Sequence, residues 1–444
     1  MIHARAALLF VIVLTGTASP VVAQLHGSIS VTFDALPDLS DARGRQSASE
    51  LRTRVFVERR DQLGEHVRLT LSGYADGLLA DRGTLGASTP TSAAVARPSD
   101  LFAELTYSHV ALRLGFSRVV WGRLDEFQPT DVVNPLDLTR FLLDGRTEAR
   151  LSVPIVSARV FLPKETTIEA IAVPAFVPGR FDQLGERTSP FNVGLPPSAV
   201  VRREEPATTP GNLQGGVRLT STVRRVDWGV STFRGFRSFP VAIGPARGAP
   251  PMIQAGGYVE TFPRFTMIGG DFETVHGKWG LRGEAAAFVD DERQGVTVDD
   301  GAVRLFEQKG RSLDAGVGVD RRAGDYRVAG DVLWSYRSVA QADDSDVTLV
   351  ASAERRFAAE TRTIRLLAVY DPGDAVFVRT IVVFSVRDDI AIEGSGGLFT
   401  GSSSTPDLTG SGLPMTGVNG LDDRDTLARF ARRDFLYARL RVTF

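Results

Sequence analysis

Cysteine is absent from this chain of 444 residues, and lysine is nearly absent. Without cysteine, disulfide bonds, thiol catalysis and thiolate metal sites are all excluded. The basic side chains are almost entirely arginines, which present rigid guanidinium forks. Five histidines are scattered along the chain without the spacing of a metal site. We therefore expect no metal, no cofactor and no enzymatic activity.

Long hydrophobic runs are also missing after residue 24. A membrane-spanning helix needs about 20 consecutive apolar residues, so helical membrane proteins are excluded. The mean hydropathy of -0.02 is what a chain gives when every second residue of its strands faces a wet interior. The formal net charge of -2 provides no basic field, so nucleic acid is not expected as a partner.

The first residues predict export. Arg5 forms a short basic region, residues 6–14 are almost wholly apolar, and Val21, Val22 and Ala23 have the small-residue pattern of a secretory cleavage site. The apolar run is too short to cross about 30 Å of hydrocarbon as an anchoring helix. We expect residues 1–23 to be removed as a signal peptide and residues 24–444 to form a single domain.

Apolar and polar residues alternate with a period of two through most of the chain. Tyr326, Val332 and Trp334, for example, share one face of a predicted strand, and Arg327 and Asp331 share the other. An aliphatic band bracketed by aromatic residues is typical of a strand that crosses both membrane interfaces. The pattern predicts an all-β protein, a transmembrane antiparallel β-barrel surrounded by outer-membrane lipid. A soluble, exported β-sandwich or β-helix is the alternative, although those folds rarely expose an aliphatic face on every strand.

The chain ends with such a strand. Leu436 and Leu440 alternate with Arg439 and Arg441, and Phe444 is the last residue. A barrel pairs its last strand with its first, which removes the edge that would recruit other chains. We expect Phe444 to be the membrane-insertion signal that the barrel-insertion machinery recognises. Arg439 and Arg441 either face water in the lumen or pair with carboxylates on adjacent strands.

Tight turns alternate with long connections rich in Gly, Pro and Asp. Tight turns are predicted near residues 59–66, 108–110, 163–166, 223–225, 275–278, 321–325, 357–361 and 387–389. Long connections are predicted near residues 35–49, 77–100, 119–147, 177–211, 237–262, 290–310, 338–346, 372–375 and 399–431. An odd number of crossing strands would leave the termini on opposite sides of the membrane, and residues 253–262, followed by Pro263, are the best candidate for a segment that does not cross. About 18 strands remain, within a range of 16–20, and a barrel of that size is wide enough for an aqueous channel.

The third long connection, residues 119–147, breaks the alternation. Pro129 and Pro135 restrict its backbone, and apolar side chains such as Trp121 can give it a small core, so we expect it to be ordered. We expect it to fold inward as the constriction of the lumen; a cap on the outer rim is the alternative. In the inward position Asp125, Glu126 and Asp131 would lie opposite arginines of the barrel wall and create a transverse field. The arginines expected at the pore or constriction are Arg52, Arg54, Arg68, Arg113, Arg118, Arg439 and Arg441, and the residues expected to structure the loop are Trp121, Gly122, Asn134 and Pro135.

A resemblance to a known family is carried by the region from residue 118 to residue 178. The residues that carry it are Arg118, Trp121, Gly122, Asp125, Asn134, Pro135, Glu148 and Pro154. In these positions the chain resembles a family of porin-like outer-membrane proteins catalogued as a domain of unknown function, and it is more distantly similar to polysaccharide- and solute-permeating porins. The resemblance implies a role in transport, which in that family has been linked to hydrophobic or sterol-like compounds, without implying a particular ligand.

Three function classes follow from these features, and an outer-membrane enzyme such as a lipase or protease is disfavoured because only His66 and His109 could serve a Ser or Asp nucleophile from strand positions. A porin-like channel for small polar or amphipathic solutes comes first, because a wide barrel with a charged interior conducts without further chemistry. A surface adhesin, or a component of an export or assembly system, is the alternative and would use the loops at 177–211 and 399–431. The sequence leaves open the solute and whether the barrel is solitary or a homotrimer.

Overall fold

The computed structural model describes residues 24–41, 44–84, 87–138, 141–180, 200–244, 257–299, 302–339, 342–372, 375–401 and 434–444. The predicted signal peptide, residues 1–23, lies outside them. Eighteen of the strands form one sheet. The first nine are β1 (Gln24–Asp41), β2 (Gly44–Leu63), β3 (Val67–Thr84), β4 (Ala87–Tyr107), β5 (Val110–Ser117), β6 (Val153–Leu162), β7 (Thr166–Val173), β9 (Gln214–Val223) and β10 (Val226–Phe236). The other nine are β13 (Arg264–His276), β14 (Trp279–Asp299), β15 (Ala302–Ala323), β16 (Tyr326–Val339), β17 (Ala342–Phe357), β18 (Arg362–Asp371), β19 (Ala375–Arg387), β20 (Ile390–Thr400) and β21 (Phe435–Thr443).

The sheet closes on itself. Strand β1 pairs antiparallel with β21, from Ser28 opposite Thr443 to Ala35 opposite Leu436. Phe444 extends this closure, because its backbone N–H donates to the Gly27 carbonyl at 2.9 Å and its own carbonyl accepts from the Gly27 N–H at 2.8 Å. The predicted antiparallel barrel of 18 strands is therefore confirmed.

The two faces of the wall differ in the way the alternation predicts. On β21, Leu436 is 63% exposed and Tyr437 only 5%. On β14, Leu281 is 39% exposed and Glu284 only 4%. Among the side chains that the structure describes, large aliphatic residues cover the outside of the wall in this way, as a barrel in the outer membrane requires.

The tight turns lie where they are predicted. The structure places them at residues 64–66, 108–109, 163–165, 224–225, 277–278, 324–325, 358–361 and 388–389. At the opposite end the prediction of loops is wrong in four places. The described residues of 35–49, 77–100, 290–310 and 338–346 are largely strand, and β1 and β2 remain paired as far as Asp41 and Gly44. The hydrogen bonds between paired strands of a hairpin satisfy the backbone N–H and C=O groups outside the membrane as well as within it, so the strands can extend beyond the bilayer.

A second, smaller sheet contains β8 (Val200–Glu204), β11 (Val241–Ile243) and β12 (Gly257–Thr261). Strand β12 pairs in parallel with β8 and antiparallel with β11. Residues 257–261 therefore take no part in the barrel, as predicted for the segment 253–262. Two short helices, α1 (Phe141–Asp144) and α2 (Arg146–Ala149), lie between β5 and β6. Within the described ranges, no helix combines the length and apolarity needed to cross a membrane.

Candidate functional site

Asn134 joins the two ends of the connection between β5 and β6, residues 118–152. The Asn134 Oδ1 accepts a hydrogen bond from the Val119 N–H at 2.7 Å, and its Nδ2 donates to the Leu151 carbonyl at 2.6 Å. The Pro135 carbonyl accepts from the Leu151 N–H at 2.8 Å. Because this buried amide is hydrogen-bonded to both ends of the connection, it fixes the points at which the loop leaves and rejoins the barrel wall. We call residues 118–150 the bridging segment.

Apolar side chains of the bridging segment pack on opposite sides of the barrel. Trp121 is 1% exposed and lies edge-on to Phe233 of β10 at 6.3 Å between ring centroids. Its indole N–H donates to Glu169 at 3.3 Å. Phe127 and Leu138 pack instead against a cluster formed by residues of β17–β21. The apolar side chains of the segment therefore pack in two clusters that they share with the barrel wall, and not in a core of their own as the sequence suggests.

Two features favour glycine at position 122, namely its backbone conformation and the nearby Glu284 of β14. Its φ of +97° lies in the left-handed region, and a Cβ at this position would come within 2.6 Å of the Glu284 carboxylate. That carboxylate accepts four hydrogen bonds from the segment: from the N–H groups of Arg123 at 2.9 Å and Leu124 at 3.3 Å, and from the N–H at 2.7 Å and hydroxyl at 2.8 Å of Thr130. Sequence reasoning did not single out Glu284 as a site residue, because nothing distinguishes it from the other charged residues on the polar faces of the strands.

The acidic tip of the segment binds arginines, although not those predicted. Asp125 forms ion pairs with Arg282 of β14 at 2.7 Å and with Arg327 of β16 at 2.9 Å. Glu126 binds Arg365 of β18. All three arginines alternate with exposed aliphatic residues such as Leu281, so they project from the opposite face of the wall. The ion-pair partners of the tip are thus none of Arg52, Arg54, Arg68 and Arg113, because the segment reaches much farther round the barrel than its attachment at β5 and β6 suggests.

Asp131 also has other partners than those expected. It is 7% exposed and binds Arg150 at 2.7 Å and Arg146 at 3.2 Å, both within the bridging segment. Its charge therefore stabilises the segment internally.

Arg52, Arg54 and Arg439 surround the end of α1. Arg52 binds Asp76 at 2.6 Å and Asp144 at 3.2 Å, and Arg54 binds Asp76 at 2.7 Å. Arg439 binds Asp144 and lies 3.7 Å from Glu393 of β20. The Arg439 side chain is only 10% exposed and lies beside carboxylates of the adjacent strand and of the segment, as in the alternative that pairs it with a carboxylate.

The remaining predicted arginines divide into two positions. Arg68, Arg113 and Arg118 line a polar cavity of about 500 Å³ together with Glu104 and Asp100. Arg113 binds Glu104 at 2.6 Å and Arg118 binds Asp100 at 2.8 Å, whereas the Arg68 side chain is 60% exposed and lies 4.0 Å from Glu104. Arg441 is exposed near the closure of the barrel, opposite Ser30 in the register. Sequence reasoning thus named three arginines of the cavity but neither its carboxylates nor the grouping of these residues.

The loops on which the alternative function depends contain residues 181–199 and 402–433, which lie outside the described residues. In the described ranges, no group of His, Asp and Glu side chains is arranged to hold a metal ion.

Comparison with solved structures gives the fold. The chain is similar to Pseudomonas aeruginosa OccK7 (OpdD), with 11% identity, a TM-score of 0.50 and coverage of 95% of this chain and 98% of that chain. It is similar to Acinetobacter baumannii OccAB3, with 7% identity, a TM-score of 0.50 and coverage of 95% and 99%. No curated protein matches the sequence. The family model described as "Protein of unknown function (DUF1302)" matches residues 99–428, so the chain belongs to that family.

Proposed function

We propose that the protein is an outer-membrane channel for small polar or amphipathic solutes, and that the bridging segment folds into the lumen and narrows it. The observation that carries this proposal is the set of ion pairs from Asp125 and Glu126 to Arg282, Arg327 and Arg365. These pairs join a loop attached at β5 and β6 to three strands elsewhere in the barrel. Contacts that reach so far round the barrel support a path across the space that the wall encloses.

Charged side chains lie on both sides of the bridging segment, which suits a channel that selects among solutes. The Asp125 and Arg327 side chains are 36% and 33% exposed, so solutes can reach them. On the other side of the barrel, the cavity beside Arg68, Arg113 and Arg118 supplies a wet, charged space next to the segment. Rings or walls of fixed charge select solutes by charge and dipole without any chemical step. The solute class is small and polar or amphipathic for this reason.

Planar-bilayer recording tests both parts of the proposal. We expect the refolded wild-type barrel to conduct ions, and the variant D125N/E126Q to conduct more. This variant removes two negative charges and leaves three arginines in place, so its reversal potential in a salt gradient should shift toward anion selectivity.

Asp325 provides the matched control, because it lies in the exposed turn at 324–325. D325N should change neither conductance nor selectivity. A wild-type barrel that folds but never conducts would refute the channel. Equal conductance and selectivity in D125N/E126Q and wild type would refute the narrowing.

A further inference from the structure

Three arginines on the outer face of the barrel lie close to its tight turns. Arg321 of β15, Arg355 of β17 and Arg362 of β18 are all exposed. Each guanidinium lies over an aromatic ring. The pairs are Arg321 over Trp279 at 4.9 Å, Arg355 over Tyr326 at 4.9 Å and Arg362 over Phe384 at 4.6 Å. We call these six residues the cation-aromatic arc.

The cation-aromatic arc lies at the edge of the band of exposed aliphatic side chains on the outer face. Along β18, Arg362 shares its face with Ile364 and Leu366, which are 38% and 48% exposed. The register places Trp279 directly opposite Arg321 and Tyr326 directly opposite Arg355. Aromatic residues that border an aliphatic band mark the level of a membrane interface. Short turns lie on the periplasmic side of outer-membrane barrels, so the arc faces the periplasmic leaflet.

The three guanidinium groups keep their hydrogen-bond donors available. Among the residues that the structure describes, none of the three has an ion pair or a side-chain hydrogen bond. Arg59 and Arg264, which also lie on the outer face, differ in this respect. Arg59, near the same end of β2, binds Asp61 at 2.8 Å. Arg264, at the far end of the barrel over Phe236, donates to the Asn212 side chain at 2.8 Å.

We propose that the cation-aromatic arc binds the phosphate headgroups of anionic phospholipids. The aromatic ring beneath each guanidinium holds the cation in place, and the guanidinium fork then presents its N–H groups to phosphate oxygens. Neighbouring strands are about 4.8 Å apart, so the three groups can engage one or two adjacent headgroups. The exposed Ile364 and Leu366 lie where the acyl chains of such a lipid would run.

Native mass spectrometry of the refolded, full-length barrel tests this proposal. The barrel in detergent is titrated with phosphatidylglycerol or with phosphatidylcholine, and retained lipid is counted. Wild type should retain phosphatidylglycerol more tightly than phosphatidylcholine. In R321Q/R355Q/R362Q, retention of phosphatidylglycerol should weaken about fivefold for each arginine removed, as expected for cations at an anionic surface.

The control variant K164Q/R224Q/R225Q removes the same charge from turns at the same end of the barrel, at 163–165 and 224–225. It should retain phosphatidylglycerol like wild type. Equal weakening in both triple variants, or in neither, would overturn the proposal. Loss of a wild-type dimer or trimer in the arc variant, with lipid retention unchanged, would also overturn it, because the arc would then be a contact between copies of the chain.

If the triple variant does not regain the heat-modifiable folded form, phosphatidylglycerol retention by the single variant R355Q tests the proposal. A loss of about fivefold supports the arc, and no loss overturns it. This outcome is independent of channel activity, which the recordings described above measure separately.

Discussion

Removing the Glu284 carboxylate should release the bridging segment. This side chain is 4% exposed and is the acceptor for the backbone of Arg123, Leu124 and Thr130. In E284A three N–H groups and one hydroxyl lose their partner at once. In E284Q one oxygen remains, but the amide N–H₂ group faces donors where the second oxygen stood, so about half of the interaction is lost.

The size of the effect follows from these contacts. A hydrogen bond to a charged acceptor contributes about 1.5–3 kcal/mol. The contact from Leu124 at 3.3 Å is long and should contribute least. We therefore expect the free energy that holds the bridging segment at Glu284 to fall by about 4–8 kcal/mol in E284A and by about 2–4 kcal/mol in E284Q. Since each 1.4 kcal/mol is a factor of ten, even about 4 kcal/mol raises the released population about a thousandfold.

Two assays measure this release. Trypsin can cleave after Arg123 only when the segment leaves the wall, so the rate of that cleavage, followed by fragment mass, should rise from wild type to E284Q to E284A. Single-channel current should rise in the same order. The control is E354Q on β17, where the carboxylate binds Arg356 at 2.8 Å and the segment is not involved.

The reasoning fails if E284A matches E354Q in both assays. It also fails if E284Q and E284A are released to the same extent, because the remaining oxygen would then have no effect.

Two further predictions concern backbone geometry and closure. The G122A substitution places a Cβ 2.6 Å from the Glu284 carboxylate at a positive φ, so it should lower the urea midpoint of unfolding. The control G77A, where no atom lies within 4 Å of the added Cβ, should leave the midpoint unchanged. Equal midpoints in the two variants would contradict the clash. Deleting Phe444 removes both backbone hydrogen bonds to Gly27, so less barrel should reach the heat-modifiable folded form on refolding in detergent. F444A keeps those bonds and should refold better than the deletion, and equal yields would show that the backbone pairing is unimportant.

Features repeated along the chain could be predicted from the sequence. Each strand carries its own alternation, so the face of Leu436 and the face of Arg439 are decided by neighbours within the same segment. Tight turns are equally local, because the residues between two paired strands must reverse the chain within a few positions. The prediction of loops at residues 35–49, 77–100, 290–310 and 338–346 is wrong for a reason that is not local. Gly, Pro and Asp suggest loops, but cross-strand pairing overrides their low strand propensity.

Contacts between distant segments could not be predicted. Asp125 and Arg327 are far apart in sequence, and many arginines on the polar faces were equally plausible partners. The expected partners Arg52 and Arg113 instead bind Asp76 and Glu104 on neighbouring strands. The role of Glu284 was missed for the same reason, since its four donors come from a loop more than a hundred residues away.

The sequence by itself determined that this chain forms an antiparallel barrel with an aliphatic outside and a charged inside, because a period of two is a property of each strand alone. Only the tertiary structure decided which charges meet. The path of the bridging segment depends on the curvature of the closed wall, and the partners of Asp125, Glu126 and Asp131 depend on that path. Cross-strand pairing from β15 to β18 likewise brings Arg321, Arg355 and Arg362 into one arc on the outer face, where three separate strands contribute to a single surface.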